Sequence, residues 1–126
     1  MKTTHPTNAL KKVLIVEDEG EICLLLNLML ANDDVAIDHV QTLFGASEYI
    51  LREKPSVVLL DNRLPDGYGI DFIDYLKENS PGTKVIMISG VDGALKDLAL
   101  DSGADIFLQK PFTKAHLTES VNVLLN

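Results

Sequence analysis

Ser56-Val57-Val58-Leu59-Leu60-Asp61-Asn62-Arg63-Leu64-Pro65-Asp66-Gly67 is an apolar run that ends in a carboxylate and passes at once into breakers. A short run of this kind, bounded by turn signals, predicts a strand buried on both faces, with Asp61 carried out of the core at its tip. An ionised carboxylate at that position needs a partner. A second run, Val13-Leu14-Ile15-Val16, ends in Glu17-Asp18-Glu19, and a third, starting at Ala104, leads to Lys110-Pro111. If these tips lie side by side, several carboxylates and one ammonium converge on one small volume.

The rest of the chain fits an alternating scheme. Lys12 to Glu17 is β-rich, and Ile22, Leu25, Leu26, Met29 and Leu30 then recur at helical spacing. Val35 to Val40 is a second, weaker strand whose Asp38 and His39 suit a sheet edge. Leu43, Ala46 and Ile50 mark the next helix, running to about Arg52. After the Asp61 strand, Phe72, Ile73 and Leu76 mark a third helix that stops before Pro81-Gly82. Thr83 to Ile88 is a fourth strand, and Leu95, Leu98 and Ala99 mark a helix that Gly103 terminates in a left-handed cap. Ala104 to Leu108 is the fifth strand, and Leu117, Val121, Leu124 and Leu125 line the closing helix.

Strict β-α alternation implies right-handed crossovers and a parallel sheet with helices on both faces. With five strands the common doubly wound order is 2-1-3-4-5, which places a site beyond the carboxyl ends of strands 1 and 3. Glu17, Asp18 and Asp61 occupy those two ends.

Bulk properties narrow the function. The chain has 126 residues, one domain's worth, with a loose tail over 1–10 and a folded unit over 11–126. Its net charge of -8 argues against a nucleic-acid backbone as direct partner of this domain. The longest apolar stretch, Ile22 to Leu30, is interrupted by Asn27 and falls short of the roughly 18 residues that span a bilayer. The first residues lack the apolar middle of a secretory signal, so a cytoplasmic location is expected. The single cysteine, Cys23, sits in an apolar helix pattern and reads as a buried, inert thiol.

The convergent charges specify the chemistry further. Two carboxylates about 4 Å apart repel by around 4 kcal/mol at an effective dielectric of 20. A divalent cation would relieve that repulsion, and an all-oxygen site with few protein ligands suits Mg²⁺, whereas no Cys or His pair has zinc spacing. Carboxylates holding a metal opposite a lysine are the equipment of phosphoryl transfer. Asp61 is the candidate nucleophile, since a carboxylate can accept a phosphoryl group as a mixed anhydride. Ser89-Gly90, after the fourth strand, adds a hydroxyl donor and a residue small enough for close backbone approach.

Taken in order, Val13-Leu14-Ile15-Val16-Glu17-Asp18, Leu60-Asp61-Asn62-Arg63-Leu64-Pro65-Asp66-Gly67, Ile88-Ser89-Gly90 and Lys110-Pro111-Phe112 resemble the CheY-like receiver domain of two-component response regulators. The resemblance runs from about Lys12 to Leu125 and implies a flavodoxin-like (βα)5 fold. It implies that Glu17 and Asp18 position Mg²⁺, that Asp61 is the phosphoacceptor and a metal ligand, and that Arg63 lends its backbone carbonyl to the metal. It further implies that Ser89 and Lys110 contact the phosphoryl group, that Phe107 is the aromatic whose rotamer reports the switch, and that Lys110-Pro111 is cis. Serine stands where threonine is commoner, and phenylalanine where tyrosine is frequent. A phenylalanine at 107 has no ring hydroxyl to bond in a switch.

The partners implied are a histidine kinase or histidine phosphotransfer protein upstream and a downstream protein or output domain, with a phosphorylation-dependent dimer as one form. The only chemistry expected of the domain itself is self-phosphorylation and autodephosphorylation at Asp61. Arg63 and Val91 are expected to face the site, and Leu100 to offer a contact on the outer side of the fourth helix. Bland readings stand beside these: Asp61 opening a turn, Glu19 answering a helix dipole, Ser89 or Asp92 capping the fourth helix, Asp66 and Gly67 as turn residues without chemistry. Two other functions compete. An aspartyl-nucleophile phosphatase would want a carboxylate where Arg63 sits, and a flavin phosphate would be repelled by Glu17-Asp18-Glu19-Gly20-Glu21. A receiver-like module acting without phosphorylation is the third reading. Ending at Asn126, the chain reads equally as a single-domain regulator or as one domain of a longer protein.

Overall fold

Alternation of inward-facing residues along each strand builds two hydrophobic layers on either side of one sheet. The computed structural model describes residues 10–90 and 93–126. The expected tail, apart from Leu10, and the expectations for Val91 and Asp92 lie outside the described residues. The elements are β1 (Lys11–Val16), α1 (Gly20–Leu30), β2 (Val35–Val40), α2 (Leu43–Glu53), β3 (Val57–Asp61), β4 (Arg63–Leu64), β5 (Gly67–Tyr68), α3 (Gly69–Asn79), β6 (Lys84–Ser89), α4 (Gly93–Ser102), β7 (Ile106–Gln109) and α5 (Lys114–Leu125).

The main sheet has the order β2-β1-β3-β6-β7 and every pairing in it is parallel. Leaving aside the short antiparallel pair β4-β5, this is the doubly wound 2-1-3-4-5 order. In β3, Val58 and Leu60 face α2, α3 and α4 together with Leu14, Val16, Val85 and Met87. Val57 and Leu59 face α1 and α5 together with Val13, Ile15, Ile86 and Ile88. All five residues of β3 are buried, as expected of a central strand in a two-sided parallel sheet.

Three helix or strand details differ from the periodicity. The buried stripe of α1 is Cys23, Leu26 and Leu30, and Leu25 is exposed, because leucines occur on every side of this helix and spacing alone cannot choose among them. In α4 the core residue is Ala99, while Leu98 is exposed. The last strand begins at Ile106, although the Asp105 N–H already donates to the Val85 carbonyl. Gly103 has a φ of +118° after α4, the positive-φ termination its identity implied. β2 is an edge strand, and its Asp38 accepts a 2.7 Å hydrogen bond from the Tyr49 hydroxyl.

Candidate functional site

Parallel strands end together at one edge, so the residues just past β1, β3, β6 and β7 meet there. Glu17 extends the β1 ladder by one step, its N–H donating to the Val40 carbonyl at 3.0 Å. Asp61 closes β3 opposite Ile88. Ser89 closes β6, and its carbonyl accepts from the Lys110 N–H at 2.8 Å, which ties the residue before Pro111 to the neighbouring inner strand. The Lys110-Pro111 peptide is cis.

The side chains converge as the strand ends imply. The Lys110 ammonium lies 3.3 Å from Asp61 Oδ1 and 3.8 Å from Glu17 Oε1. Carboxylate oxygens of Glu17, Asp18 and Asp61 all lie within 4.8 Å of one another. Glu17 and Asp61 are buried and Asp18 is exposed. Asp18, Glu19, Asp61, Asn62, Arg63, Ser89, Gly90 and Lys110 line a common cleft of about 510 Å³.

Burial pushes the Glu17 carboxyl above its ordinary value. The Glu19 N–H, donating to Glu17 Oε2 at 3.0 Å, opposes the shift, and the nearby Asp61 charge adds to it. Burial also raises Asp61, against the charge and hydrogen bond of Lys110, while Asp18 raises it further. One ammonium facing three carboxylates leaves the cluster undercompensated. Three carboxylates with few other ligand types form an all-oxygen donor set, which fits a hard divalent cation.

Several residues that hold the site in shape were not evident from the sequence. Asn62 is buried; its carbonyl accepts from the Gly69 N–H at 2.8 Å and its Oδ1 from the Ile70 N–H at 3.1 Å. It thus satisfies donors at the start of α3 while its own N–H extends the ladder to the Ile88 carbonyl. Asp66 lies in the turn between β4 and β5, as read, and its side chain also binds the start of α2 beside the N-cap Thr42. Its two carboxylate oxygens accept from the Leu43 and Phe44 N–H groups, both at 2.9 Å, and these bonds hold its carboxyl below the usual range. Proximity in sequence could not show this, because the capped helix lies more than twenty residues upstream. Gly90 lines the cleft, and a Cβ there would meet no atom within 4 Å, so glycine is not demanded by packing. Phe107 is half-buried against the α2–α4 layer, opposite Met87 in the β6–β7 register.

A profile of the response regulator receiver domain family matches residues 13–122. The chain belongs to that family. Its relatives include the KDP operon transcriptional regulatory protein KdpE of Escherichia coli, 36% identical over 90% of this chain and 50% of that protein. Response regulator protein PilR of Pseudomonas aeruginosa is 36% identical over 91% of this chain and 26% of its own length. The receiver domain thus spans half or less of these relatives. Among solved structures, the receiver domain of a LuxO repressor protein from Vibrio parahaemolyticus superimposes with a TM-score of 0.87 at 32% identity, covering 92% of this chain and 90% of that one. The beryllofluoride-activated NtrC4 receiver domain dimer gives 0.86 at 35% identity, covering 91% and 96%. Among the described residues no helix is long and apolar enough to cross a membrane.

Proposed function

We propose that this receiver domain is a phosphoaccepting switch, with Asp61 taking a phosphoryl group from a phosphohistidine of a kinase or phosphotransfer protein. The observation that carries this reading is the clustering of Asp61 with Glu17, Asp18 and Lys110 at the carboxyl ends of the strands. A carboxylate oxygen of Asp61 attacks phosphorus, the P–N bond to the donor imidazole breaks, and that nitrogen keeps the electron pair and takes a proton. Glu17, Asp18 and Asp61, with the Arg63 carbonyl, would hold Mg²⁺. When bound, the ion supplies positive charge against the phosphoryl oxygens.

Lys110 already faces Asp61 and is placed to contact an oxygen of the transferred group. Burial of Asp61 keeps bulk water from much of its surroundings. The acyl phosphate carries a charge of about -1.5 to -2 where the carboxylate carried -1, with three acceptor oxygens, and this draws Ser89 inward and repacks α4, β7 and α5, with Phe107 following. Leu100, 38% exposed on α4, is a contact on the face that changes. A downstream protein, an output domain or a second receiver then reads that face, in the cytoplasm.

Incubation with Mg²⁺ and a small acyl phosphate should add one acid- and base-labile phosphoryl group per chain. Chelation of the metal and Asp61→Asn should each abolish it. Labelling that survives Asp61→Asn would remove Asp61 from this role.

A further inference from the structure

A second cleft lies on the side of the domain formed by α2, β5 and α3, and the phosphoacceptor chemistry makes no use of it. It measures about 530 Å³, within the size range of small-ligand sites, and its walls include Phe44, Tyr68 and Tyr75. These residues are 68%, 57% and 36% exposed respectively. Phe72 stands behind them, its ring 5.4 Å from that of Tyr75. Three exposed aromatic residues around one depression form an apolar surface that ordinary solvation does not favour.

The cleft is also acidic. Asp66 and Asp71 line it and, among the described residues, no lysine or arginine does. Asp66 is held by the two N–H groups it accepts at the start of α2, so its position is fixed. Asp71 is exposed and, among the described residues, makes neither an ion pair nor a hydrogen bond. The whole chain carries 19 acidic against 11 basic side chains, which adds to the attraction for a cation.

We infer that this cleft docks an arginine side chain presented by a partner polypeptide. A guanidinium is planar and weakly hydrated, so it can stack on the Tyr68 or Phe44 ring while its edge donates to Asp71. An aliphatic occupant would desolvate the Asp71 carboxylate without giving it a partner. An acidic occupant would be repelled, and a lysine ammonium, compact and strongly hydrated, stacks less well. Tyr68 adjoins Gly69, which packs on the Asp61 backbone, so the docking cleft and the phosphoacceptor share a stretch of chain.

Three blocked tripeptides, acetyl-Ala-Arg-Ala-amide and its lysine and norleucine counterparts, can be titrated into the 126-residue chain and followed by amide chemical shifts. Saturable shifts confined to the Phe44, Gly67–Asp71 and Tyr75 region are expected with the arginine peptide, and weaker binding with the other two. Tyr68→Ala and Asp71→Asn, both at exposed positions, should each weaken arginine-peptide binding about threefold or more. Shifts that do not saturate, equal response to lysine or norleucine, or affinity unchanged by either substitution would overturn the assignment. So would concentration-dependent shifts of the same residues without peptide, which would make a second copy the occupant.

Discussion

Gly69 packs directly against the backbone of Asp61: a Cβ at position 69 would lie 2.3 Å from the Asp61 carbonyl oxygen and 3.0 Å from Leu60 Cγ. The first residue of α3 therefore sits where only a hydrogen fits, and the proposed phosphoacceptor is backed by a helix start. Gly69→Ala must push α3 away from β3. Overpacking of this kind typically costs about 1–3 kcal/mol, and denaturant unfolding should show a loss in that range. Phosphoryl uptake should slow as well, since Asp61 and Asn62 would shift together.

Glu17 and Asp61 give the metal-free domain a defined pH response. Both carboxyls are raised in the folded state, above ordinary values of 4.5 and 3.8. The folded state therefore holds these protons more tightly than the unfolded chain. The stability this contributes is fully present below the unfolded values and is lost as pH rises through the folded ones. Asp61→Asn removes one of the two titrations. In chelator, the variant's stability relative to the parent should grow as pH rises above the ordinary aspartate value of about 4, measured by paired urea titrations. Mg²⁺ should raise the parent's midpoint at pH 7 and leave the variant's nearly unchanged.

Asp66 contributes in the opposite sense. Its carboxyl is lowered by the Leu43 and Phe44 N–H groups, so its stabilisation is present above the unfolded value and is lost as pH falls through the folded one. Asp66→Ala leaves Thr42 as the N-cap of α2 but removes the acceptor of the Leu43 and Phe44 N–H groups, and should cost about 1 kcal/mol at neutral pH. The difference from the parent should shrink on acidification, which unfolding curves at neutral and low pH would register.

At the far end of the sheet, Thr83 donates its hydroxyl to the Pro55 carbonyl at 2.6 Å and stands 2.6 Å from the Ser80 hydroxyl, with both side chains buried. Thr83→Val keeps the shape and strands the Pro55 and Ser80 groups. A loss of about 1–3 kcal/mol is expected. Phosphoryl uptake by the folded variant should match the parent, because this network lies at the opposite strand ends from Asp61.

The five main strands and the helices between them were readable because each apolar run was short and bounded by breakers. The β4–β5 hairpin was not, since strands of two residues around Pro65-Asp66 carry no period. Glu17, Asp61 and Lys110 could be read as one site only through topology: Lys110 lies 49 residues from Asp61, and parallel pairing of the strands brings them to 3.3 Å. The packing roles of Asn62, Asp66 and Gly69 were missed because their contacts are to backbone groups of other elements, which residue type alone does not locate. The inward face of α1 was ambiguous for a different reason, as Leu24, Leu25 and Leu28 are exposed beside the buried Leu26 and Leu30.

The central claim is that Asp61 is the residue chemically changed. Borohydride reduction of the phosphorylated protein converts an aspartyl phosphate to homoserine, and peptide mass analysis then identifies the position. The account predicts homoserine at position 61 alone, dependent on both acyl phosphate and Mg²⁺. Homoserine at another aspartate, or an unreduced Asp61 in protein that carries the phosphoryl group, would contradict it.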